Sequence, residues 1–266
     1  MNIKKYVFML LACAAMNASA QNDNTEAIRK MEKEGWTVGL RAGYNIGGTM
    51  PVPIPAEMKS INSFNPGLNF GVQVEFDKMF DNHWGADIAL RFETRGMDTD
   101  VTVENYHTVF KQDGDQAECN YTGQQSTSFS GSYLTIPLLA RYRFNSSWSV
   151  IAGPYFSYAL STKFKGDASN GYQRQLKLDP ITGAMVPTGL KTDVTPDNPA
   201  SYDFSNDMRK FNWGVEVGVD WQALKHFLVF AHLDWGLNDA FKDSFSETIS
   251  FPMYPVYGTI GFGYKF

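Results

Sequence analysis

The sequence predicts an all-β chain: a transmembrane, antiparallel up-and-down barrel of about eight strands, with ten left open. Three observations predict it. Apolar residues alternate with a period of two and not 3.6, the connections alternate between short and long, and aromatic residues recur at the strand ends.

The first predicted strand sets Trp36, Val38, Leu40, Ala42 and Tyr44 against Thr37, Gly39, Arg41, Gly43 and Asn45. The second sets Leu68, Phe70, Val72, Val74 and Phe76 against Asn69, Gly71, Gln73 and Glu75. The third sets Trp84, Ala86, Ile88, Leu90 and Phe92 against Asp87, Arg91 and Glu93. A fourth puts Leu134, Ile136, Leu138, Ala140, Tyr142 and Phe144 opposite Thr135, Arg141 and Arg143. The fifth, from Trp148 to Tyr158, is less clean, because Pro154 lacks a ladder donor and belongs at an edge or bulge. The sixth runs Phe211 to Trp221 with Asn212, Glu216 and Asp220 opposite. The seventh runs Phe227 to Trp235 with His232 and Asp234 opposite, and the last pairs Ile260, Phe262, Tyr264 and Phe266 against Thr259, Gly261, Gly263 and Lys265.

Tight links at 77–83, 145–147 and 222–226 read as periplasmic turns. The long polar links at 45–65, 95–131, 161–210 and 238–255 read as external loops, where specificity would sit. Val101 to Val103 and Ser126 to Ser130 could extend strands above the membrane, which is why ten strands stay open. Trp36, Phe76, Trp84, Phe144, Trp148, Trp221, Phe227 and Phe266 all fall at the short-turn end on the apolar face, as an interfacial girdle would. Tyr44, Phe92, Tyr158, Phe211 and Trp235 suit the opposite girdle. Alternation alone also fits a soluble lipocalin-like barrel or a sandwich, with the apolar face inward. The repeated girdle weighs against it.

Lys4 and Lys5, an apolar stretch from Tyr6 to Ala15 and the site Ala18-Ser19-Ala20 before Gln21 form the pattern of a Sec signal peptide. Residues 1–20 are therefore expected to be removed, 21–35 to form a periplasmic stub and 36–266 to form the barrel. Leu10 to Cys13 also resembles a lipoprotein signal, but with a very short apolar core. With cleavage after Ala20, Cys119 is the one thiol left, so no intramolecular disulfide can form. No stretch after the leader has the eighteen or so apolar residues of a spanning helix. A net charge of −5 argues against a dedicated nucleic-acid binder.

Parity directs Arg41, Arg91, Arg141, Arg143 and Lys265 inward, against Glu75, Asp87, Glu93, Glu216, Asp220 and Asp234. In about eight strands the interior is just wide enough for side chains to fill, so these groups are expected to form a packed charge network without an open pore. Phe262, Tyr264 and Phe266, at period two up to the C-terminal aromatic, suit recognition by barrel-insertion machinery.

His83, His107, His226 and His232 are the available histidines, and none stands with a serine nucleophile in triad fashion. No His or Cys cluster has zinc-like spacing. Asp98, Asp100, Asp113, Asp115 and Glu118 put carboxylates into one loop, without the ordered twelve-residue calcium pattern. Gly43, Gly47 and Gly48 lack the strand-loop-helix setting of a phosphate cradle. No cofactor and no catalytic residue is expected.

Tyr133 to Tyr142 (Tyr-Leu-Thr-Ile-Pro-Leu-Leu-Ala-Arg-Tyr) and Ala152 to Tyr158 (Ala-Gly-Pro-Tyr-Phe-Ser-Tyr) resemble the PorT-like outer-membrane β-barrel family of Bacteroidota. His232 to Asn238 and Gly261 to Phe266 are similar to that family's last two strands. The resemblance is carried by strands and not loops, so it implies fold and a Gram-negative outer-membrane location more than a function. Three roles follow in order: a non-enzymatic barrel serving envelope integrity or surface-loop binding, a narrow porin or transport or secretion accessory, and a lipid-modifying enzyme. The expected partners are outer-membrane lipid, the insertion machinery and an external ligand or envelope protein met by the long loops.

Mass analysis of the N-terminus of protein purified from membranes should find Gln21 as the first residue; a lipidated Cys13 would refute that.

Overall fold

A computed structural model describes residues 35–112, 115–245 and 251–266. The expected leader with Ala18, Ala20 and Gln21, and nearly all of the stub, lie outside them. The strands are β1 (Trp36–Pro51), β2 (Met58–Asn65), β3 (Asn69–Met79), β4 (Trp84–Gln112), β5 (Asp115–Arg143), β6 (Trp148–Leu178), β7 (Met185–Pro187), β8 (Thr192–Val194), β9 (Ala200–Asp203), β10 (Phe211–Gln222), β11 (Phe227–Gly236) and β12 (Met253–Lys265). Eight of them, β1, β3, β4, β5, β6, β10, β11 and β12, pair antiparallel in chain order and close through β1 with β12. The extra strands β2, β7, β8 and β9 lie outside the ring, so the ten-strand alternative falls.

Closure leaves the ring no free edge within the membrane, where an unpaired backbone group would find no water. Along β3 burial alternates without a break from Asn69 to Asp77, with Phe70, Val72, Val74 and Phe76 exposed. The turns at the short end are fixed by side-chain caps. Asp81 Oδ1 accepts from the backbone N–H groups of His83 and Trp84, both at 2.7 Å, and Asn145 Oδ1 does the same for Ser147 and Trp148 at 2.8 and 2.9 Å. These are local Asx hydrogen bonds, which is why short Asp and Asn links suffice. The girdle at this end is a set of ring contacts, among them Trp148 with Trp221 at 6.0 Å and Phe227 with Tyr264 at 5.1 Å.

Two expectations are corrected. Pro154 sits at neither an edge nor a bulge: it faces outward in a central strand, opposite Val215 of β10. On its other side the β5–β6 ladder skips from Pro137–Tyr155 to Ala140–Ala152. A Cβ on Gly153 would lie 2.1 Å from the Leu138 carbonyl oxygen, so this crossing requires glycine.

The second correction concerns the external loops. β4 and β5 run 29 residues each and β6 runs 31, where a bilayer needs about 9–11. Much of 95–131 and 161–210 is therefore strand, standing above the membrane as a crown. There β9 pairs with both β4 and β6 and joins them across the top.

Within the crown the inner face changes character. On β4 the buried positions run Asp87, Arg91, Glu93 and Arg95, then Met97, Val101 and Val103. An apolar core of Phe110, Tyr121, Phe129, Phe164, Tyr202, Phe204 and Phe241, among others, fills the crown. Below, the apolar face meets lipid; above, it turns inward from water.

Candidate functional site

Two places concentrate chemistry: the polar interior of the barrel and an apolar cavity in the crown. The interior comes first, because it decides what can pass.

Four guanidinium groups, Arg41, Arg91, Arg95 and Arg141, and seven carboxylates, Glu75, Asp77, Asp87, Glu93, Glu216, Asp220 and Asp234, are buried there. Parity puts them inside, and their length lets them meet across the lumen. Arg41 donates to both oxygens of Asp220 at 2.7 and 2.8 Å and pairs through Nε with Glu75. Arg141 grips Asp87 through Nε at 2.9 Å and Nη2 at 2.5 Å, and reaches Asp220 through Nη1 at 2.6 Å. Higher up, Arg91 donates to Glu216 at 2.8 and 2.9 Å, to Asp234 at 3.0 Å and, through Nε, to Gln73 at 2.8 Å. His232 joins the two levels, with Nδ1 2.9 Å from Glu216 and Nε2 3.0 Å from Asp220.

The upper end of the network is closed by Arg95. It reaches Glu93 at 2.8 Å and Asp234 at 3.2 Å, while its guanidinium lies over the rings of Tyr133, Tyr155 and Tyr257 at 5.2, 5.6 and 5.2 Å. Cation–π contact is strongest where water is excluded. This layer divides the ionic interior from the apolar crown.

Of the residues expected in the network, Arg143 departs. It is half-buried at the short-turn mouth, beside Asp77 and Lys265, and not in the packed interior. Lys265 also sits at this mouth, pairing with Asp77 at 2.6 Å. The sequence reading missed Asp77 and Arg95 as network members, whereas His232, read with Asp234 as a polar pair packed inside the barrel, is in the network. Asp77 was assigned to a turn and Arg95 to a loop, yet each continues its strand's period, Glu75 to Asp77 and Arg91 to Glu93 to Arg95. Extending the alternation by one step would have found both.

The remaining candidates scatter. His83 stacks on Tyr142 at 6.0 Å in a turn, and His226 Nδ1 lies 2.8 Å from the Lys265 carbonyl oxygen just before β11. His107, expected in a loop, is on β4, 3.8 Å from Glu118. Among the described residues no cluster of His, Cys, Asp and Glu is arranged to hold a metal. Asp100 instead accepts from Ser63 at 2.6 Å and Ser126 at 2.5 Å, and these hydroxyls, Ser126 foremost, hold its carboxyl below the usual range. Cys119 is fully buried in the crown core, where burial pushes its thiol up to about 12 and keeps it uncharged. On β12, Phe262 is exposed to lipid and Tyr264 is half-buried, and Phe266, one residue past the strand, is exposed at the girdle.

The crown cavity measures about 300 Å³, at the small end of ligand pockets. Met58, Met97, Val101, Val103, Phe204 and Met253 contribute to its walls, and among the described residues no charged side chain lines it. A few polar groups sit at its inner end: Tyr202 Oη meets Thr127 Oγ1 at 2.5 Å and accepts from Gln125 Nε2 at 3.1 Å. Burial pushes the Tyr202 hydroxyl up to about 12.

A family model described as "Outer membrane protein beta-barrel domain" matches residues 19–242. The chain belongs to this family. That membership, with the closed ring, places it in the Gram-negative outer membrane as a β-barrel protein. No curated protein matches the chain. Among solved structures, Ail, the attachment invasion locus protein of Yersinia pestis, aligns at 11% identity, covering 87% of this chain and 97% of its own, with a TM-score of 0.35. Neisserial surface protein A aligns at 9% identity over 87% and 97%, with a TM-score of 0.28.

Removing one member of the interior network leaves its partners buried and unpaired, at a cost of about 3–5 kcal/mol. Glu216→Ala, which deprives Arg91 and His232 together, should lower the temperature of heat-modified migration clearly. Lys59→Ala removes an exposed pair, Lys59 with Glu104 at 3.3 Å, worth at most about 1 kcal/mol, and should leave that temperature almost unchanged. Equal shifts in the two variants would contradict the network's weight.

Proposed function

We propose that this family member is a closed, non-conducting and non-enzymatic barrel that holds a rigid β-built crown above the outer membrane for surface binding, and through it serves envelope integrity. The observation that carries the reading is the ionic network, whose ion pairs run across the lumen from β1 to β10, from β5 to β10 and from β4 to β10 and β11. A diffusion porin needs a wider, water-filled lumen, typically about sixteen strands. Binding is then left to the crown, whose core makes it a fixed scaffold and not a set of free loops.

Export by the Sec pathway and membership of the PorT-like branch of Bacteroidota belong to the same reading, supported by the leader pattern and by the strand segments that resemble that branch. Insertion by the barrel-assembly machinery is supported by the C-terminal aromatic alternation, and outer-membrane lipid by the exposed apolar belt. An external ligand or envelope protein is the partner expected at the crown.

Planar-bilayer recording of refolded protein should give no stable single-channel openings; openings comparable to those of a general porin would sink the closed-barrel reading. Phe266→Asp should strongly reduce the assembled amount in cells, and assembly at the wild-type level would remove the insertion role.

A further inference from the structure

Above the membrane one ladder of the ring breaks off early, and the crown cavity stands behind the break. Pairing of β1 with β3 stops at Asn45–Asn69, whereas β1 continues along β12 as far as Pro51–Met253. β2 then continues the line of β3 along β4, from Asn65–Asp98 to Met58–Val103. No ladder joins β1 to β2 among the described residues. Between the upper part of β1 and β2 the wall is therefore held by side chains, Phe64 and Met97 against Gly48, and not by backbone hydrogen bonds, so it can part there without breaking a ladder.

The rim of this gap is apolar and uncovered. Met50 lies on one side and Ile61 and Phe64 on the other, with Ile54 on the link between, at 37, 56, 45 and 58% exposure. Leaving a contiguous set of apolar side chains in water is unfavourable unless something covers them. Met50, Met58, Met97 and Met253 at the rim and in the walls supply pliable contacts that fit a flexible apolar ligand.

The same apolar strip reaches the bilayer. Below Phe64, Leu68 is 89% exposed and Phe70 faces outward beside Tyr44 of the upper girdle. Thr49 and Met97, at the cavity floor, stand five residues beyond girdle residues Tyr44 and Phe92. For a tilted strand this is a rise of roughly 13 Å, less than the roughly 15 Å half-thickness of the hydrocarbon core that one acyl chain spans. The lining, predominantly apolar among the described residues, suits an acyl chain better than a charged headgroup.

We propose that the crown cavity is a binding site for one acyl chain of an outer-leaflet lipid, which enters sideways through the gap between β1 and β2. The proposal rests on the surface-binding reading and names its ligand. The Arg95–tyrosine layer lies beneath the floor at Thr49 and Met97, so the chain is held and not passed inward.

The test uses the full mature chain in phospholipid nanodiscs carrying a lipid with a diazirine at the end of one acyl chain, with cross-links mapped by mass spectrometry. Wild type should be labelled at cavity-floor residues such as Thr49 and Met97, in addition to the lipid-facing belt at Leu90 and Val217. Val101→Trp, which fills the cavity, and Ile61→Asp, on the exposed rim where folding tolerates it, should each cut cavity labelling at least fivefold and leave belt labelling unchanged. Labelling confined to the belt in wild type, or cavity labelling unmoved by both variants, overturns the proposal. A diazirine fatty acid added from water is the second arm; cavity labelling by it alone overturns the membrane source. None of these outcomes bears on conductance, so the closed-barrel reading stands or falls separately.

Discussion

The fold depends on how buried charge is neutralised inside the ring. Removing an ion from water costs several kcal/mol even after relaxation, and only close, hydrogen-bonded partners offset it. The interior solves this by sharing. Asp220 serves Arg41, Arg141 and His232, Glu216 serves Arg91 and His232, and Asp234 serves Arg91 and Arg95. These three carboxylates come from β10 or β11, and the arginines come from β1, β4 and β5. The contacts therefore brace opposite walls of the ring. A ring of more strands would pull these pairs apart, so the network and the strand number fix each other.

Once the lumen is ionic, the outer wall must be apolar to meet lipid, and the chain then faces the opposite demand where it leaves the bilayer. The answer is an exchange of faces without a change of strand. On β4 the inward parity that delivers Arg91, Glu93 and Arg95 continues as Met97, Val101 and Val103, and the outward positions become Asp98, Asp100 and Glu104. Such a segment follows the soluble-barrel pattern, apolar in and polar out. The two patterns weighed against each other in the sequence are both present, one above the other, with Arg95 among three tyrosines at the boundary.

That exchange explains what was legible in the sequence and what was not. Period-two alternation from Trp36 and from Phe211 is long and uniform, so the ring strands were readable. The crown was read as loops because its strands mix Ser, Thr, Gln and Asn with scattered aromatics, and their alternation reverses sense at Met97 and slips at irregular register between Thr122 and Gln124 and between Ser132 and Tyr133. His232 was visible as an inward residue, but its place between Glu216 and Asp220 depends on the register of β10 against β11, which pairs Gly218 with His232. The cavity had no local signature at all. Its walls come from segments as distant as Met50, Val103, Phe204 and Met253, which only the closed topology brings together.

The lateral gap follows from the unequal lengths of neighbouring strands. β4 rises far above the point where β3 begins, and its upper edge would present unpaired backbone groups to solvent. β2 covers that edge, yet in doing so it cannot also follow β1, which stays with β12. The β1 segment beyond Asn45 keeps one neighbour, and its last residue is Pro51, which has no N–H to leave unsatisfied. Closure is complete where lipid surrounds the chain and an open edge would find no hydrogen-bond partners. The wall parts only where water can solvate it. The barrel thus packs its lumen with paired charge, and the break in its ladder comes at the level where an apolar interior begins.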